Sequence, residues 1–141
     1  MQYFSVEPEV AGGLGPHSVI DRSVHPPIVS RLHYQFDGWL GDEIVESFPC
    51  VLVTEALSRQ LLAEGFSGFE IGSVEVSASE QFHDTCPDTE LPPFVWLRVV
   101  GIGGKDDFGS GPDARMVVSE RALRVIQTTA PQALDVEPFV A

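Results

Sequence analysis

Cys50-Val51-Leu52-Val53-Thr54-Glu55-Ala56-Leu57 is the stretch whose reading decides the fold. Four consecutive apolar residues with no polar alternate describe a short strand buried on both faces. Thr54 stands where a helix needs an N-cap hydroxyl, and Glu55 puts a negative charge at the positive end of the helix dipole. Ala56, Leu57, Leu61, Leu62 and Ala63 then recur at helical spacing, and Gly65 supplies the left-handed backbone that stops the helix. The same device returns later in the chain. Met116-Val117-Val118 is a short apolar strand, Ser119 a cap and Glu120 the first-turn acid. Ala122, Leu123, Val125 and Ile126 form the helical face that Pro131 ends. Strand-to-helix junctions converge on this chemistry, so two copies do not by themselves establish a duplication. They do predict an α+β domain in which two principal helices, starting at Thr54 and Ser119, lie on a mainly antiparallel sheet.

Working outward, residues 2 to 6 alternate around Tyr3, Phe4 and Val6 as a first strand. Pro8, Gly12, Gly13, Gly15 and Pro16 break it, and irregular chain is expected to continue to Pro26-Pro27. Residues 28 to 36 read as one extended segment, closed by the Asp37-Gly38 turn and an irregular Trp39-Leu40-Gly41-Asp42 connection. Phe69 to Val76 alternates as a further strand. Ser79-Glu80-Gln81-Phe82 can start a short helical turn that ends before Pro87. Phe94 to Val100 is a strand with Trp96 in the core, followed by a Gly-rich acidic loop through Pro112. Residues 133 to 140 form a last strand. Residues 1–141 read as a single domain, with no linker.

Composition narrows the function classes. Lys and Arg number 8 against 21 Asp and Glu, for a net charge of −13 and a pI near 4.4. Nucleic-acid binding needs cations to neutralise phosphates, so it is excluded as an expectation. Hydrophobic residues make up 43% of the chain, enough to build a core. No apolar run reaches the roughly 18 residues of a membrane span, and the N-terminal residues lack a signal-peptide pattern. Cys50 and Cys86 form no CxxC pair, which fits a reduced, cytoplasmic protein.

The search for chemistry finds no catalytic motif. His17, His25, His33 and His83 lack metal-ligand spacing, and the acidic runs lack a Ca²⁺-loop register, so neither metal nor cofactor is expected. Gly101-Ile102-Gly103-Gly104-Lys105 lacks P-loop spacing and is followed by acids that would repel phosphate. Thr54 and Ser119 are caps, not nucleophiles. Two loops instead join carboxylates to an aromatic residue: Asp37, Trp39, Asp42 and Glu43 in one, Asp106, Asp107 and Phe108 in the other. Either the aromatics fold back as lids on the core, or they anchor a partner while the acids orient it. These seven residues are the candidate partner-binding site.

The order of the short motifs resembles bacterial polymorphic-toxin immunity proteins, in particular immunity family eleven, of myxobacterial type. The carrying segments are Glu7-Pro8-Glu9-Val10-Ala11-Gly12-Gly13-Leu14-Gly15, Phe36-Asp37-Gly38-Trp39-Leu40-Gly41-Asp42 and Ser79-Glu80-Gln81-Phe82. Leu91-Pro92-Pro93-Phe94, Trp96, Asp106-Asp107-Phe108 and Val117-Val118-Ser119-Glu120-Arg121-Ala122-Leu123 complete them. The resemblance implies an α+β, non-catalytic protein that binds and neutralises a cognate protein toxin. A small metal-dependent hydrolase using the acidic clusters and a regulatory protein-binding domain are the alternatives. The absence of any placed His, Cys or nucleophile motif favours binding.

Overall fold

Every residue of β7 (Cys50–Thr54) is buried. In the computed structural model, which describes residues 2–140, its side chains alternate between two apolar clusters. Val51 and Val53 enter the first cluster, Cys50 and Leu52 the second. The strand lies inside an antiparallel sheet ordered β6 (Ile44–Ser47), β7, β10 (Phe94–Val99), β8 (Phe69–Gly72). This sheet divides the two cores: Ile44 and Leu97 face one, Val45 and Phe94 the other. A sheet covered on both faces requires apolar residues at every position of its inner strand, which is why the sequence shows no alternation there.

The first core is closed by a second antiparallel sheet, ordered β11 (Phe108–Ser110), β12 (Met116–Ser119), β1 (Tyr3–Glu7), β13 (Asp135–Phe139). Helices α1 (Glu55–Ala63) and α3 (Glu120–Gln127) pack there through Leu57, Leu61, Ala122, Leu123 and Ile126. The second core is covered by β2 (Gly12–Leu14), β5 (His33–Phe36) and β9 (Glu75–Ala78), with Phe82 of α2 (Glu80–Thr85). A hairpin of β3 (Val19–Asp21) and β4 (Ile28–Arg31) adds Val29.

The register shows that the first core is built from two copies of one unit. In one copy β6, β7, α1 and β8 follow one another, with β10 coming after β9 and α2; in the other β11, β12, α3 and β13 do, with β1 standing in for β10. Val53 pairs with Ile44 and Val95; Val118 pairs with Phe108 and Phe4. Leu97 lies between Val51 and Ile71 as Val6 lies between Met116 and Val136. The first helical N–H of α1 donates to Pro93 O at 3.0 Å, and that of α3 to Gln2 O at 3.1 Å. Equivalent residues (Val6 and Leu97, Val51 and Met116, Leu61 and Ile126) all enter the same cluster. Two copies meeting through the same face form a pseudo-two-fold pair.

Both helix caps carry an acid behind them. Thr54 Oγ1 accepts from Leu57 N–H at 3.1 Å and donates to Glu43 Oε1 at 2.7 Å. Ser119 Oγ accepts from Ala122 N–H at 3.2 Å and donates to Asp107 Oδ1 at 2.7 Å. The backbone repeats the pairing, Thr54 N–H to Glu43 O and Ser119 N–H to Asp107 O, both at 2.9 Å. Asp107 also receives Arg121 through Nε and Nη2, each at 2.8 Å, and Ser67 N–H at 3.1 Å. Hydrogen bonds from Arg121, then Ser119 and Ser67, hold its carboxyl down at about 2 despite burial.

The α+β expectation and both helix starts match the structure. Gly65 has φ +70°, as its role as a helix stop requires. Several boundaries differ. The strands divide among four sheets, and β5 pairs with β9 in parallel. Phe69–Val76 is two strands that belong to different sheets, because the chain leaves β10 after Gly72 and joins β5 from Glu75. Residues 28–36 likewise divide between β4 and β5, and β2, β3 and β11 occupy stretches read as loops. Short edge strands take their hydrogen bonds from distant partners, which local alternation does not report. Trp96 is half-buried against the second core, and no helix of the described residues is long and apolar enough to cross a membrane.

The Asp107 network gives a stability prediction. The depressed carboxyl stabilises the fold above the ordinary Asp value of 3.8 and loses that contribution as pH falls towards about 2. Asp107→Asn is expected to lower stability by about 1–3 kcal/mol at pH 7. It should also flatten the acid limb between pH 4 and pH 2 in thermal melts. An unchanged acid limb would remove Asp107 from this role.

Candidate functional site

The seven candidate residues fall into two sets once placed. Phe108 is fully buried on β11, its ring against Phe66 and Phe69. Asp107 is buried beneath the α3 cap, and Glu43 is half-buried behind the α1 cap. Asp106 accepts from Ile102 N–H at 2.8 Å and closes the 102–106 turn. The second loop is therefore a folding device, and its aromatic is a core residue.

The first loop is different. Asp42 is buried, yet its carboxylate reaches across to the segment after α3, where it accepts from Gln132 N–H at 2.7 Å and Ala133 N–H at 2.9 Å. Gln132 returns a bond from Nε2 to Leu40 O at 2.9 Å. Trp39 Nε1–H donates to Asp42 O at 2.9 Å, and the indole packs edge-on against Phe94. From the other side, buried Glu9 accepts Leu40 N–H at 2.8 Å. Its second oxygen, Oε1, has no partner and is the one such buried side-chain atom among the described residues. Burial pushes the Glu9 carboxyl above the ordinary range; the Asp42 charge adds to this and the Leu40 hydrogen bond opposes it.

Three distant segments thus brace residues 39–42, and the brace leaves apolar surface outside. Leu40 is 57% exposed and Val10 68%. They border a shallow groove that also contains Asp37, Trp39 and Gln81. Gln81 belongs to α2, whose Glu80 and Asp84 are exposed, as are Asp88 and Glu90 beyond it. No Lys or Arg occurs between residues 60 and 97. The site is a rigid apolar platform with acids along one side. Asp37, Trp39 and Leu40 present it, and Asp42 supports it from below. Nothing in the local sequence announces Glu9 or Gln132, since their role is defined by a partner loop far along the chain.

Histidine chemistry appears at one other place. His17, His33 and Glu75 bring ligand atoms within 4.8 Å of one another, the sole such group among the described residues. His17 Nδ1 lies 2.7 Å from Glu75 Oε2, and His33 Nε2 lies 3.8 Å from the same oxygen. The His17 hydrogen bond lowers the Glu75 carboxyl, desolvation opposes it, and nearby positive charge adds a smaller lowering. Sequence spacing missed this group because β5 and β9 pair in parallel across a long connection. The hydrogen bonds decide its chemistry. His17 N–H donates to His33 Nδ1 at 3.2 Å, so the His33 proton sits on Nε2 and points at Ser77 Oγ, 2.7 Å away. That tautomer neither offers Nε2 to a metal nor accepts the Ser77 proton. Cys50 is equally unsuited to chemistry, its thiol pushed up to about 12 by burial.

Comparison with protein-family models, with curated proteins and with solved structures finds no match to this chain.

Two predictions follow from these geometries. Asp42→Ala should leave the fold intact but release the post-α3 side of the brace. Amide exchange at Gln132 and Ala133 is then expected to accelerate by about tenfold or more, with Leu40, held by Glu9, and β7 less affected. Added zinc should bind weakly through His17 and Glu75, so His17→Ala removes the binding and His33→Asn leaves it unaltered in calorimetric titration. Dependence on His33 would overturn the tautomer assignment.

Proposed function

We propose that the chain is a non-catalytic immunity protein that binds and neutralises a cognate protein toxin, with the Trp39 loop at the centre of its interface. The observation that carries this reading is the brace. Glu9, Asp42 and Gln132 fix a loop whose outer face is Leu40 beside Val10 and half-buried Trp39. A preordered apolar centre loses little conformational freedom on binding, which is the arrangement that hot spots favour. The acids alongside it suit a basic partner, and the net charge of −13 speeds encounter with one. A regulatory domain would use the same face but would confer no protection. The hydrolase alternative would use the acidic clusters, whereas the ligand atoms that converge among the described residues are those of His17, His33 and Glu75, outside them.

The test is co-expression with a secreted protein encoded by the neighbouring gene, as candidate toxin. Wild-type chain is expected to restore growth of toxin-producing cells. Leu40→Asp should weaken the complex by about thirtyfold or more, the loss typical of a central anchor. Asp37→Lys should act mainly on the association rate. Both variants should melt close to wild type, because neither side chain holds the brace. Failure of the wild-type chain to protect refutes immunity; protection that survives both substitutions refutes this face.

A further inference from the structure

A second concavity lies elsewhere, where the two copies of the repeated unit meet. It has a volume of about 450 Å³, and its walls contain equivalent residues from both copies: Val6 and Leu97, Val51 and Met116. Phe48, Trp96 and Val99 extend the apolar lining. The polar positions break the symmetry. Glu46 on β6 corresponds to Ser110 on β11, since they face Val51 and Met116 respectively. Glu7 corresponds to Arg98, each following the equivalent residues Val6 and Leu97.

The charges in the cleft are satisfied with one exception. Arg115 pairs with Glu7 at 2.6 Å and with Asp113 at 3.5 Å. Arg98 lies 3.8 Å from Glu70 and stacks over Trp96, 5.0 Å from the ring centre. The Glu46 carboxylate has neither an ion pair nor a hydrogen bond among the described residues. Its main chain is engaged, accepting the Tyr34 hydroxyl at 2.9 Å and donating to Glu9 O at 2.8 Å, so the strand fixes where the side chain projects. Desolvation raises its carboxyl to about 7; the Glu7 charge adds to the rise and Arg115 opposes it. The buried Cys50 thiol and Arg98 line the same space. A glutamine would fill this position without the cost of ionisation. An unpaired, half-buried carboxylate in a cleft of mixed polar and apolar lining can serve as the counter-charge of a bound cation.

We propose that this cleft binds an organic cation, a guanidinium or ammonium group on an apolar stem, with Glu46 as its counter-charge. The stem replaces water along Phe48, Trp96 and Val99, above the buried floor of Val6, Val51, Leu97 and Met116, while the cation remains near the mouth with Glu46. The same chemistry is available from a free amine or guanidine and from an Arg or Lys side chain of a partner protein. The cleft shares no lining residue with the Trp39 groove, so this inference stands apart from the immunity reading.

The experiment is a titration of the ¹⁵N-labelled full chain with n-butylguanidinium, followed by amide shifts. Saturable shifts are expected at Val6, Val51 and Trp96 to Val99. The neutral isostere n-butylurea should bind at least tenfold more weakly. Affinity for the cation should rise about tenfold from pH 5.5 to pH 8, as Glu46 ionises around 7. Glu46→Gln should abolish the preference for guanidinium over urea. Its melting temperature at pH 8 should lie a few degrees above wild type, because a raised carboxyl pKa makes the fold lose stability as pH climbs from about 4.5 to about 7. Acetyl-Gly-Arg-Gly-amide separates the two sources. The same footprint with this peptide assigns the site to a partner's side chain, and binding of the free cation alone assigns it to a small ligand. Equal binding of guanidinium and urea by wild-type chain, shifts outside the cleft, or no binding at millimolar concentration would each overturn the proposal.

Discussion

Two-sided burial of β7 is the constraint from which the rest of this architecture follows. A strand with Val51 and Val53 on one face and Cys50 and Leu52 on the other must be covered twice. One cover comes from the second four-stranded sheet with α1 and α3, the other from β2, β5 and β9 with α2. Because β7 runs directly into α1, the hinge between strand and helix needs a polar residue that is itself buried. Thr54 fills it, and its hydroxyl is satisfied on both sides by Leu57 N–H and Glu43.

The same solution at Ser119 and Asp107 explains why two acids beside hydrophobic residues are structural. Each carboxylate lies one residue before a hairpin strand, at the only place from which it can reach the cap of the following helix. The repeated unit gives both halves this device, and the halves differ where packing does not constrain them. Ile44 and Phe108 remain apolar because both enter the shared core, whereas Glu46 and Ser110 differ because they line open space. The two proposed surfaces lie where the repeat departs from itself. The cleft carries an acid in one copy and a hydroxyl in the other. Asp42 reaches the post-α3 segment, while Asp106, its equivalent, only closes a turn.

Charge follows the same logic. The chain is acidic overall, but its carboxylates do different work according to burial. Asp107 is held ionised by Arg121 and two further donors. Glu9 and Glu46 are raised by desolvation, and the acids of α2 and its following loop meet only solvent. An overall charge of −13 thus says much about encounter with a partner and little about which acid touches it.

The sequence by itself determined the strand–cap–helix units at 50–63 and 116–127, the helix stop at Gly65 and the α+β class. These are local matters: the patterning of neighbouring side chains and the hydroxyl that closes a first turn act over a few residues. It also marked the Trp39 loop, because a turn with an aromatic and acids is visible at short range. Only the tertiary structure decided that Phe108 is core, that Asp42 and Glu9 brace the loop, that His17 meets His33 and Glu75, and that Glu46 stands unpaired in a cleft. Each of those facts depends on which strands become neighbours, such as β5 beside β9 or β1 beside β12. Strand pairing is fixed by burial summed over the whole domain, so residues far apart in the chain acquire their chemistry only after the sheets have formed.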